Sequence, residues 1–301
     1  MGVLVRNNKQ EKIMRIGVIG RGFVGGSMEK FLIEHSHHDV EAFDARDGDI
    51  TEGYNRIVAH SEIIYVAVPT PMDKNGKCHT GILEQSLGLI NYLSMQKKDS
   101  PIVLIKSTMS PGTSERLKKE FSNIIIVTNP EFLTERNAYE DLCNAKCHVL
   151  GLPEGDSESL RDMFQRYHES LWDGCKCIFV SNTEAELIKY TINSYLSVRV
   201  IFANHMYQLS ESLGIDYNKF IQAANQTDPR LGGSHWNVPG PDGLLGFGGK
   251  CFPKDLNGMM TLFAEQGIDC PLLESAWQYN LSVREDQDWK RIYGAQVDST
   301  D

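Results

Sequence analysis

Residues 246–255 combine a cysteine with glycines and cations in a way that can activate a thiol. They read Gly-Phe-Gly-Gly-Lys-Cys-Phe-Pro-Lys-Asp. Pro253 suits the first turn of a helix, so Cys251 is predicted to lie just before a helix N-terminus. The helix dipole together with Lys250 and Lys254 would stabilise its thiolate. Although a lone cysteine is usually inert core filler, this setting predicts a nucleophile.

A lysine and an asparagine stand four residues apart in a long helical stretch, and Lys189 and Asn193 therefore share one face of the helix. Their neighbours are mostly apolar, and burying such side chains without partners is costly. A shared polar cleft accounts for the pair. A solvated stripe that also carries Glu186 and Arg199 accounts for it as well, and the helix by itself leaves both interpretations open.

The glycines of residues 20–25, Gly-Arg-Gly-Phe-Val-Gly, match G-x-G-x-x-G between a predicted strand and a predicted helix. Asp44 closes the next strand, at the distance at which a carboxylate receives the ribose hydroxyls of a dinucleotide. The predicted cofactor contacts in this turn are Gly20, Gly22, Phe23, Val24, Gly25 and Asp44. Asp44 favours NAD because it repels a 2′-phosphate, whereas Arg46 beside it leaves NADP open.

Polar residues follow three further predicted strands: Pro69-Thr70, Lys106-Ser107-Thr108, and the segment 129–133 with Asn129 and Glu131. Ligands of doubly wound folds bind outside the carboxyl ends of the strands. These three segments are therefore expected to line one crevice.

Short runs rich in isoleucine and valine precede these turns, at 15–19, 40–43, 63–68, 102–105, 124–127 and 178–180. Alternating with helical patterns, they predict a Rossmann-like, doubly wound parallel sheet in an α/β domain over residues 13–182. Residues 183–213 carry apolar side chains all round and predict one long helix. Shorter helices are predicted at 216–224, 254–265 and 271–283, which gives an all-helical central domain over 183–285. The ends, 1–12 and 286–301, are expected to be flexible.

The 301-residue chain has 41% hydrophobic and 23% charged residues and a net charge of −10, which disfavours nucleic acid and anionic membranes as partners. No uninterrupted apolar run reaches the roughly 18 residues of a membrane span, and no secretory signal precedes the fold, so a cytoplasmic protein is expected. Most of the seven cysteines are predicted to be free thiols. No metal site is expected, because Cys143/Cys147 and Cys175/Cys177 lack a second pair at zinc spacing.

Taken together, these motifs strongly resemble the UDP-glucose dehydrogenase family in the UDP-glucose/GDP-mannose dehydrogenase superfamily. The matching residues are 20–25, 66–71, 106–108, 129–133, 189 with 193, and 246–255, in the family's order over nearly the whole chain. Members normally continue for about a hundred residues more, an ordinary domain length, as a UDP-binding domain. This chain departs from them in lacking that domain, and in Arg136 and His205, which replace a customary Gly and Glu.

The resemblance implies a four-electron oxidation of a nucleotide sugar, UDP-glucose to UDP-glucuronate, with NAD as cofactor and Cys251 as the covalent nucleophile. The implied catalytic residues are Cys251, Lys189, Asn193, Asp255, Thr108 and Glu135. The implied NAD contacts beyond the glycine turn are Pro69, Thr70, Ser107 and Thr108. The implied substrate contacts are Glu131, Phe132, Leu133, Arg230, Gly248, Gly249 and Lys254. A homodimer built on the helix 183–213 is also implied, with Arg230 reaching across it.

Two other functions fit the same residues. A β-hydroxyacid dehydrogenase pairs similar domains, uses a Lys and an Asn four apart, needs no cysteine and transfers one hydride per substrate. A catalytically silent protein that binds NAD and a full-length homologue is the alternative outside enzymology; the retained Lys189, Asn193, Cys251 and Asp255 argue against it.

Overall fold

The computed structural model describes residues 13–155 and 158–297 of the chain. Seven strands form one sheet in the order β2-β1-β3-β4-β5-β6-β7. Their bounds are β1 Arg15–Ile19, β2 Asp39–Phe43, β3 Ile63–Val66, β4 Ile102–Ile105, β5 Ile125–Thr128, β6 Cys147–Leu152 and β7 Lys176–Ser181. Strands β1 to β5 are parallel, and β3 is buried along its whole length, as expected for strands covered on both faces. The predicted doubly wound α/β fold is confirmed.

Strand β6 was not predicted, and it changes the sheet. It pairs antiparallel with β5 through Thr128 and Gly151, while β7 runs parallel to β6, so the sheet is mixed rather than wholly parallel. A histidine and a glycine interrupt the apolar run of β6, which hides it from a pattern search. Gly151 is required there because a Cβ would lie 2.7 Å from the Cβ of Ala185.

Six helices connect these strands: α1 Phe23–His35, α2 Ile50–His60, α3 Gly81–Ser94, α4 Thr113–Glu120, α5 Ala138–Cys143 and α6 Glu158–Leu171. A 3-10 turn, Glu135–Asn137, precedes α5. The apolar core beneath them joins strand residues such as Ile16, Tyr65 and Leu104 to Phe31 and Phe164 on the helices. This core fixes the strand ends from which the site residues project.

Two histidines are buried in this core. His148 on β6 and His168 on α6 have ring centroids 4.9 Å apart, and both pack on the indole of Trp172. Burial lowers the pKa of His148 to about 2, with His168 and Lys106 adding to the effect, and burial lowers the pKa of His168 to about 4. Both rings are therefore neutral in the folded protein at every pH above about 4.

This pair predicts a loss of stability in mild acid. Below about pH 6.5 both histidines become protonated in the unfolded chain but not in the folded protein. Each histidine therefore lowers the free energy of unfolding by about 2 kcal/mol at about pH 5. Urea unfolding at pH 7.5 and pH 5 should show His168→Phe losing about 2 kcal/mol less than the wild-type chain between the two pH values. Replacement of the exposed His37 by Gln is the control. An equal pH dependence in all three proteins would contradict the assignment.

The long helix is α7, Asn182–Leu213. Its first turn is capped reciprocally, since the backbone N–H of Ser181 donates to Glu184 Oε2 at 2.7 Å and the Glu184 N–H donates to Ser181 Oγ at 3.3 Å. Gly214 follows the helix with φ 66°, a left-handed conformation that ends it. The helices α8 Tyr217–Thr227, α9 Phe252–Glu265 and α10 Pro271–Val283 follow, with 3-10 turns at Pro229–Leu231 and Asp288–Lys290.

The chain divides into two compact units, and the division differs from the predicted domain boundary. The first comprises residues 1–68, 83–107 and 114–185; the second comprises 69–82, 108–113 and 186–301. Two segments that follow strands β3 and β4 therefore belong to the helical unit. Sequence patterns place each of these segments with its neighbours in the chain, so they do not predict that the segments belong to the helical unit.

The segment predicted as a flexible tail makes packing contacts over part of its length. Trp289 is buried with Met72 and Ala295, and the Met72 N–H donates to the Ala295 carbonyl at 2.8 Å. Residues 298–301 and the predicted flexible N-terminus, 1–12, lie outside the described residues.

Within residues 13–155 and 158–297, no helix combines the length and the apolar character needed to cross a membrane. The same residues contain no group of three or more His, Cys, Asp or Glu side chains arranged to hold a metal ion.

Candidate active site

The turn between β1 and α1 has the geometry of a phosphate-binding loop. Gly20 has φ +87°, and a Cβ there would lie 2.6 Å from the Ala67 carbonyl oxygen. A Cβ on Gly25 would lie 1.8 Å from the Gly20 carbonyl oxygen, so helix and turn touch at this residue. Gly22 is the N-cap of α1, and apart from its two chain neighbours no atom of the described residues lies within 4 Å of where its Cβ would be. Phe23 and Val24 begin the helix, so open space faces an uncapped helix N-terminus, which suits a pyrophosphate.

Asp44 lies beside this turn at the end of β2. Its Oδ2 accepts the backbone N–H of Arg21 at 2.7 Å, and its Oδ1 accepts Nε of Arg46 at 2.6 Å. The hydrogen bond from Arg46 lowers the pKa of Asp44 to about 2, although partial burial opposes that shift. Asp44 is therefore anionic at neutral pH. A cavity of about 480 Å³ opens next to it; its lining includes Arg21, Gly26, Lys30, Asp44 and Arg46.

The glycine turn gives a matched pair of substitutions. Gly25→Ala should lower the affinity for NAD by at least about 10-fold, because a methyl group 1.8 Å from a backbone oxygen cannot be accommodated without moving the turn. Gly26→Ala is the control, since its Cβ would meet the Arg21 carbonyl oxygen at an ordinary 3.4 Å. Titration of NAD by calorimetry compares the two, and equal affinities would contradict the assignment.

The strand ends of the first unit hold their polar groups firmly. Lys106 is buried and donates to Asn129 Oδ1 at 2.9 Å, and Ser107 Oγ donates to the Val68 carbonyl at 2.7 Å. Glu131 is buried and accepts the Leu133 N–H at 2.7 Å, whereas Phe132 is exposed. Glu135 is exposed at the start of the 3-10 turn. Pro69, Thr70 and Thr108, predicted to lie beside these residues, belong to the helical unit.

Cys251 is the N-cap of α9, with Pro253 in the first turn of that helix. Cys251 is partly buried and forms no disulfide among the described residues. The predicted position of the cysteine at a helix N-terminus is therefore observed, and the two glycines before it, Gly248 and Gly249, form the end of the preceding loop. A thiol at the positive end of a helix dipole is in a setting that favours the thiolate.

Two side chains hold the buried Asp255 carboxylate at the start of α9. Asp255 is fully buried; its Oδ2 accepts Asn193 Nδ2 at 2.5 Å, and its Oδ1 accepts a short ion-pair hydrogen bond from Lys254 Nζ. Burial by itself would lower the pKa of Lys254, but the Asp255 carboxylate outweighs it and raises that pKa. Lys254 therefore stays an ammonium, and its charge compensates the buried carboxylate.

Lys189 is 4% exposed and Asn193 is 6% exposed, which excludes the solvated stripe that the sequence left open. Glu186, one turn earlier, is also buried, and its Oε2 accepts the backbone N–H of Gly112 at 2.6 Å. The face of α7 that carries positions 186, 189 and 193 is thus a buried polar face. It meets α9 closely, since a Cβ on Gly258 would lie 2.6 Å from the ring of Tyr190.

Two residues at this site were not predicted. The buried Cys78 thiol donates to the carbonyl oxygens of Thr108, at 3.3 Å, and Thr70, at 3.8 Å. Burial raises the pKa of Cys78, against the opposing charge of Lys254, and burial also raises the pKa of Tyr190. Cys78 therefore remains a neutral thiol that ties the segments 69–82 and 108–113 together. No local pattern could indicate this, because its partners are distant in sequence.

Arg230 lies at the surface. Its side chain is 89% exposed and pairs with Asp228 at 2.5 Å. The structure therefore does not bring Arg230 to the residues around Cys251 within this chain, which is compatible with the predicted role across a dimer.

A phosphate-binding glycine turn with a ribose-type carboxylate, on a doubly wound sheet followed by a helical unit with a buried Lys, Asn and Asp, is the arrangement of a two-unit protein of the dinucleotide-binding class. Two family models match the chain. The model described as the UDP-glucose/GDP-mannose dehydrogenase family, NAD binding domain, matches residues 45–170, and that of the central domain matches residues 183–282. The chain belongs to the UDP-glucose/GDP-mannose dehydrogenase family, which confirms the resemblance drawn from its motifs.

Individual relatives agree. A UDP-glucose 6-dehydrogenase of Rickettsia bellii (strain RML369-C) is 28% identical over 279 residues, which cover 91% of this chain and 60% of that protein. The chain thus spans about three fifths of the length of this relative. A UDP-glucose dehydrogenase structure from Pyrobaculum islandicum has a TM-score of 0.80 at 24% identity. The match covers 92% of this chain and 70% of the Pyrobaculum islandicum chain.

The fold is shared more widely. A 3-hydroxyisobutyrate dehydrogenase structure from Mycobacterium tuberculosis has a TM-score of 0.67 at 17% identity, covering 89% of this chain and 93% of that one. At this identity the likeness concerns the fold alone. The fold therefore does not separate the two enzyme classes, and the residues around Cys251 must do so.

Proposed function

We propose that the chain is an NAD-dependent nucleotide-sugar dehydrogenase that oxidises UDP-glucose to UDP-glucuronate in the cytoplasm. The observation that carries this proposal is Cys251 at the N-terminus of α9, one turn before the buried Lys254–Asp255 pair. A β-hydroxyacid dehydrogenase needs no thiol at that position. A nucleophilic thiol is needed when an aldehyde must be held and oxidised a second time.

The first unit fits NAD. The open space at Gly22 and the uncapped start of α1 suit a pyrophosphate. The anionic Asp44 suits the ribose diol. When bound, NAD accepts the two electrons of each oxidation. Thr70, Thr108, Pro69 and Ser107 are proposed as further contacts to it.

The chemistry of the chain's own residues follows from their charges. The Cys251 sulfur would add to the aldehyde carbon formed in the first oxidation, which gives a thiohemiacetal. Loss of a hydride from that carbon in the second oxidation would give a thioester. Lys189 and Asn193 stabilise the oxyanion that develops at that carbon. Water then attacks the thioester carbon, and the carbon–sulfur bond breaks to release the carboxylate and the Cys251 thiolate.

Asp255 and Thr108 are proposed to hold this water, with Glu135 assisting hydrolysis. Asp255 suits the role because its two oxygens are fixed by Asn193 and Lys254, so the carboxylate cannot turn away from the site. Lys254 thereby positions the carboxylate as well as neutralising it. Lys254, Gly248, Gly249 and the segment with Glu131, Phe132 and Leu133 are the proposed contacts to the nucleotide sugar.

The stoichiometry of NADH tests the proposal. Purified protein is incubated with NAD and a panel of UDP- and GDP-sugars, and NADH is counted per sugar consumed. Two NADH per sugar support the four-electron reaction. One NADH favours the β-hydroxyacid class of chemistry, and none, with NAD binding intact, favours a silent NAD-binding partner.

A homodimer built on α7 is part of the proposal. The helix carries exposed apolar residues at heptad-like spacing, Tyr195, Phe202, Leu209 and Leu213, which are 59%, 51%, 49% and 62% exposed. Their spacing of seven and four residues puts them on one stripe, the pattern by which helices pair. An apolar stripe that long is characteristic of an interface rather than of a solvated surface.

The stripe predicts the effect of a charge placed on it. Phe202→Glu should weaken dimerisation by at least about 100-fold, because a carboxylate would be buried without a partner. Sedimentation velocity across a range of concentrations measures the shift. Glu211→Lys, which changes the charge on another face of α7, should leave the dimer intact. A Phe202→Glu protein that sediments like the wild type would contradict an interface on this stripe.

A further inference from the structure

The loop before Cys251 is held by side chains that donate to or accept from its backbone. Asn204 Oδ1 accepts the Gly246 N–H at 3.0 Å, and Asn280 Oδ1 accepts the Phe247 N–H at 2.7 Å. Both oxygens of Asp288 accept the Gly249 N–H, at 3.0 and 3.1 Å. The last of these bonds lies two residues from the thiol and comes from the segment after α10.

Arg284 joins this segment to the start of the same loop. Its side chain is 1% exposed and pairs with Asp242 at 2.5 Å and with Asp288 at 3.5 Å. It also donates to the carbonyl oxygens of Asp286, at 2.9 Å, and Leu245, at 3.5 Å. A buried guanidinium with this many acceptors is fully compensated, and its positive charge is shared between the Asp242 and Asp288 carboxylates.

The fit between loop and segment is tight. A Cβ on Gly248 would lie 2.2 Å from an Arg284 guanidinium nitrogen and 2.4 Å from an Asp288 carboxylate oxygen. Residue 248 must therefore be glycine for Arg284 and Asp288 to reach the loop. Gly248 is thus needed for packing against Arg284 and Asp288, in addition to its proposed contact with the substrate.

The far end of the segment closes on the other side of Lys250. A Cβ on Gly294, which has φ +71°, would lie 2.9 Å from Lys250 Nζ and 3.3 Å from Pro69 Cβ. Val297 then donates its N–H to the Met72 carbonyl at 2.9 Å. Between these ends, Trp289 is 2% exposed, and its ring centroid lies 5.4 Å from that of Trp277. This packing anchors the segment.

We propose that residues 284–297 form a clasp that holds the Cys251 loop in its reactive conformation, and that Asp288 is the positioning residue, acting through the Gly249 N–H. A carboxylate that accepts a backbone N–H forms a charge-assisted bond, stronger than a neutral one. Arg284 supplies a positive charge beside this carboxylate. The clasp thus fixes the backbone at Gly249, two residues before Cys251.

The test is Asp288→Ala in the full chain, with two companions. Asp288→Asn keeps an oxygen that can accept the Gly249 N–H. Asp286→Ala, the matched control, removes a neighbouring carboxylate that pairs only with the exposed Arg291 among the bonds described. Hydrogen exchange of peptides over residues 244–251 and mass-spectrometric rates of iodoacetamide alkylation are measured for each protein.

Asp288→Ala should speed exchange in this peptide and alkylation of Cys251 at least about 10-fold, while the buried Cys78 and Cys270 react as in the wild type. Asp288→Asn should restore most of the protection, and Asp286→Ala should change neither. Wild-type exchange and alkylation in Asp288→Ala would overturn the proposal, and so would equal acceleration at all three cysteines in a folded protein. If Asp288→Ala does not fold, Asp288→Ser, which keeps a smaller acceptor, is measured in the same way against the same criteria.

These measurements use no sugar nucleotide, so they stand even if the proposed dehydrogenase activity fails. A second prediction concerns turnover, and it rests on the proposed dehydrogenase function. Asp288→Ala should lower kcat at least about 10-fold with KM for NAD unchanged, because the thiol becomes more accessible but is no longer aligned. A loss of kcat without faster alkylation would contradict the positioning role.

Discussion

Replacing Cys251 with serine should abolish net formation of the acid, whereas the protein should still bind NAD. The expected loss in acid formation is at least about 10³-fold, since a serine hydroxyl without a general base is a far weaker nucleophile than a thiolate. NAD affinity should change by less than about twofold, because the residues that fit NAD at the glycine turn belong to the first unit and Cys251 to the second. Mass spectrometry of the sugar product and calorimetry with NAD measure the two effects.

The chain provides a matched control for this substitution. Cys270 is the N-cap of α10, with Pro271 in its first turn, just as Cys251 is the N-cap of α9. Unlike Cys251, Cys270 has no glycine-rich loop or lysine beside it; it is buried next to Glu274, and burial raises the pKa of its thiol. Cys270→Ser should therefore form the acid at the wild-type rate. If Cys251→Ser also does so, the covalent mechanism is wrong.

Lys254→Met should be the most destabilising single substitution around the site. Asp255 is fully buried, and loss of the ammonium would leave its carboxylate with Asn193 as its remaining bonded partner among those described. Removing one partner of a buried ion pair costs about 3–5 kcal/mol. Urea unfolding at neutral pH measures the change, and Lys219→Met, on the exposed face of α8, should cost no more than about 0.5 kcal/mol.

A second variant separates charge from packing. The double variant Lys254→Met/Asp255→Leu removes both charges. It should therefore recover much of the free energy of unfolding that Lys254→Met loses, but it should not recover activity. If Lys254→Met loses less than about 1 kcal/mol, or if the double variant is less stable than the single one, the buried pair is not what stabilises this end of α9.

The local features of the fold followed from short stretches of sequence. The glycine turn, the Ser181–Glu184 capping box, the Gly214 stop and the helix start at Pro253 each depend on residues within about five positions of one another, so the residue types alone specify them. The same holds for the buried strands β1, β3, β4 and β5, whose apolar runs need both faces covered. The prediction of Cys251 at a helix N-terminus belongs to this group.

Other features depend on residues that are far apart in the chain. Strand β6 is defined by its pairing with β5 and β7, and its interrupted apolar run gave no sign of that. The segments 69–82 and 108–113 join the helical unit through contacts such as Gly112 with Glu186, 74 positions away. The bond from Gly249 to Asp288 joins residues 39 apart, in a segment whose polar composition suggested a flexible tail.

The sequence by itself determined which residues could do chemistry, because reactivity at Cys251 and cofactor binding at residues 20–25 arise from neighbours in the chain. Only the tertiary structure decided which of the polar residues are buried together. Whether Lys189 and Asn193 are exposed or buried depends on how α7 packs against its neighbours, and a helical period cannot distinguish a buried polar face from an exposed one. Packing of the segment after α10 brings Asp288 to Gly249, so the position of the Cys251 loop is set by residues that no motif around Cys251 contains.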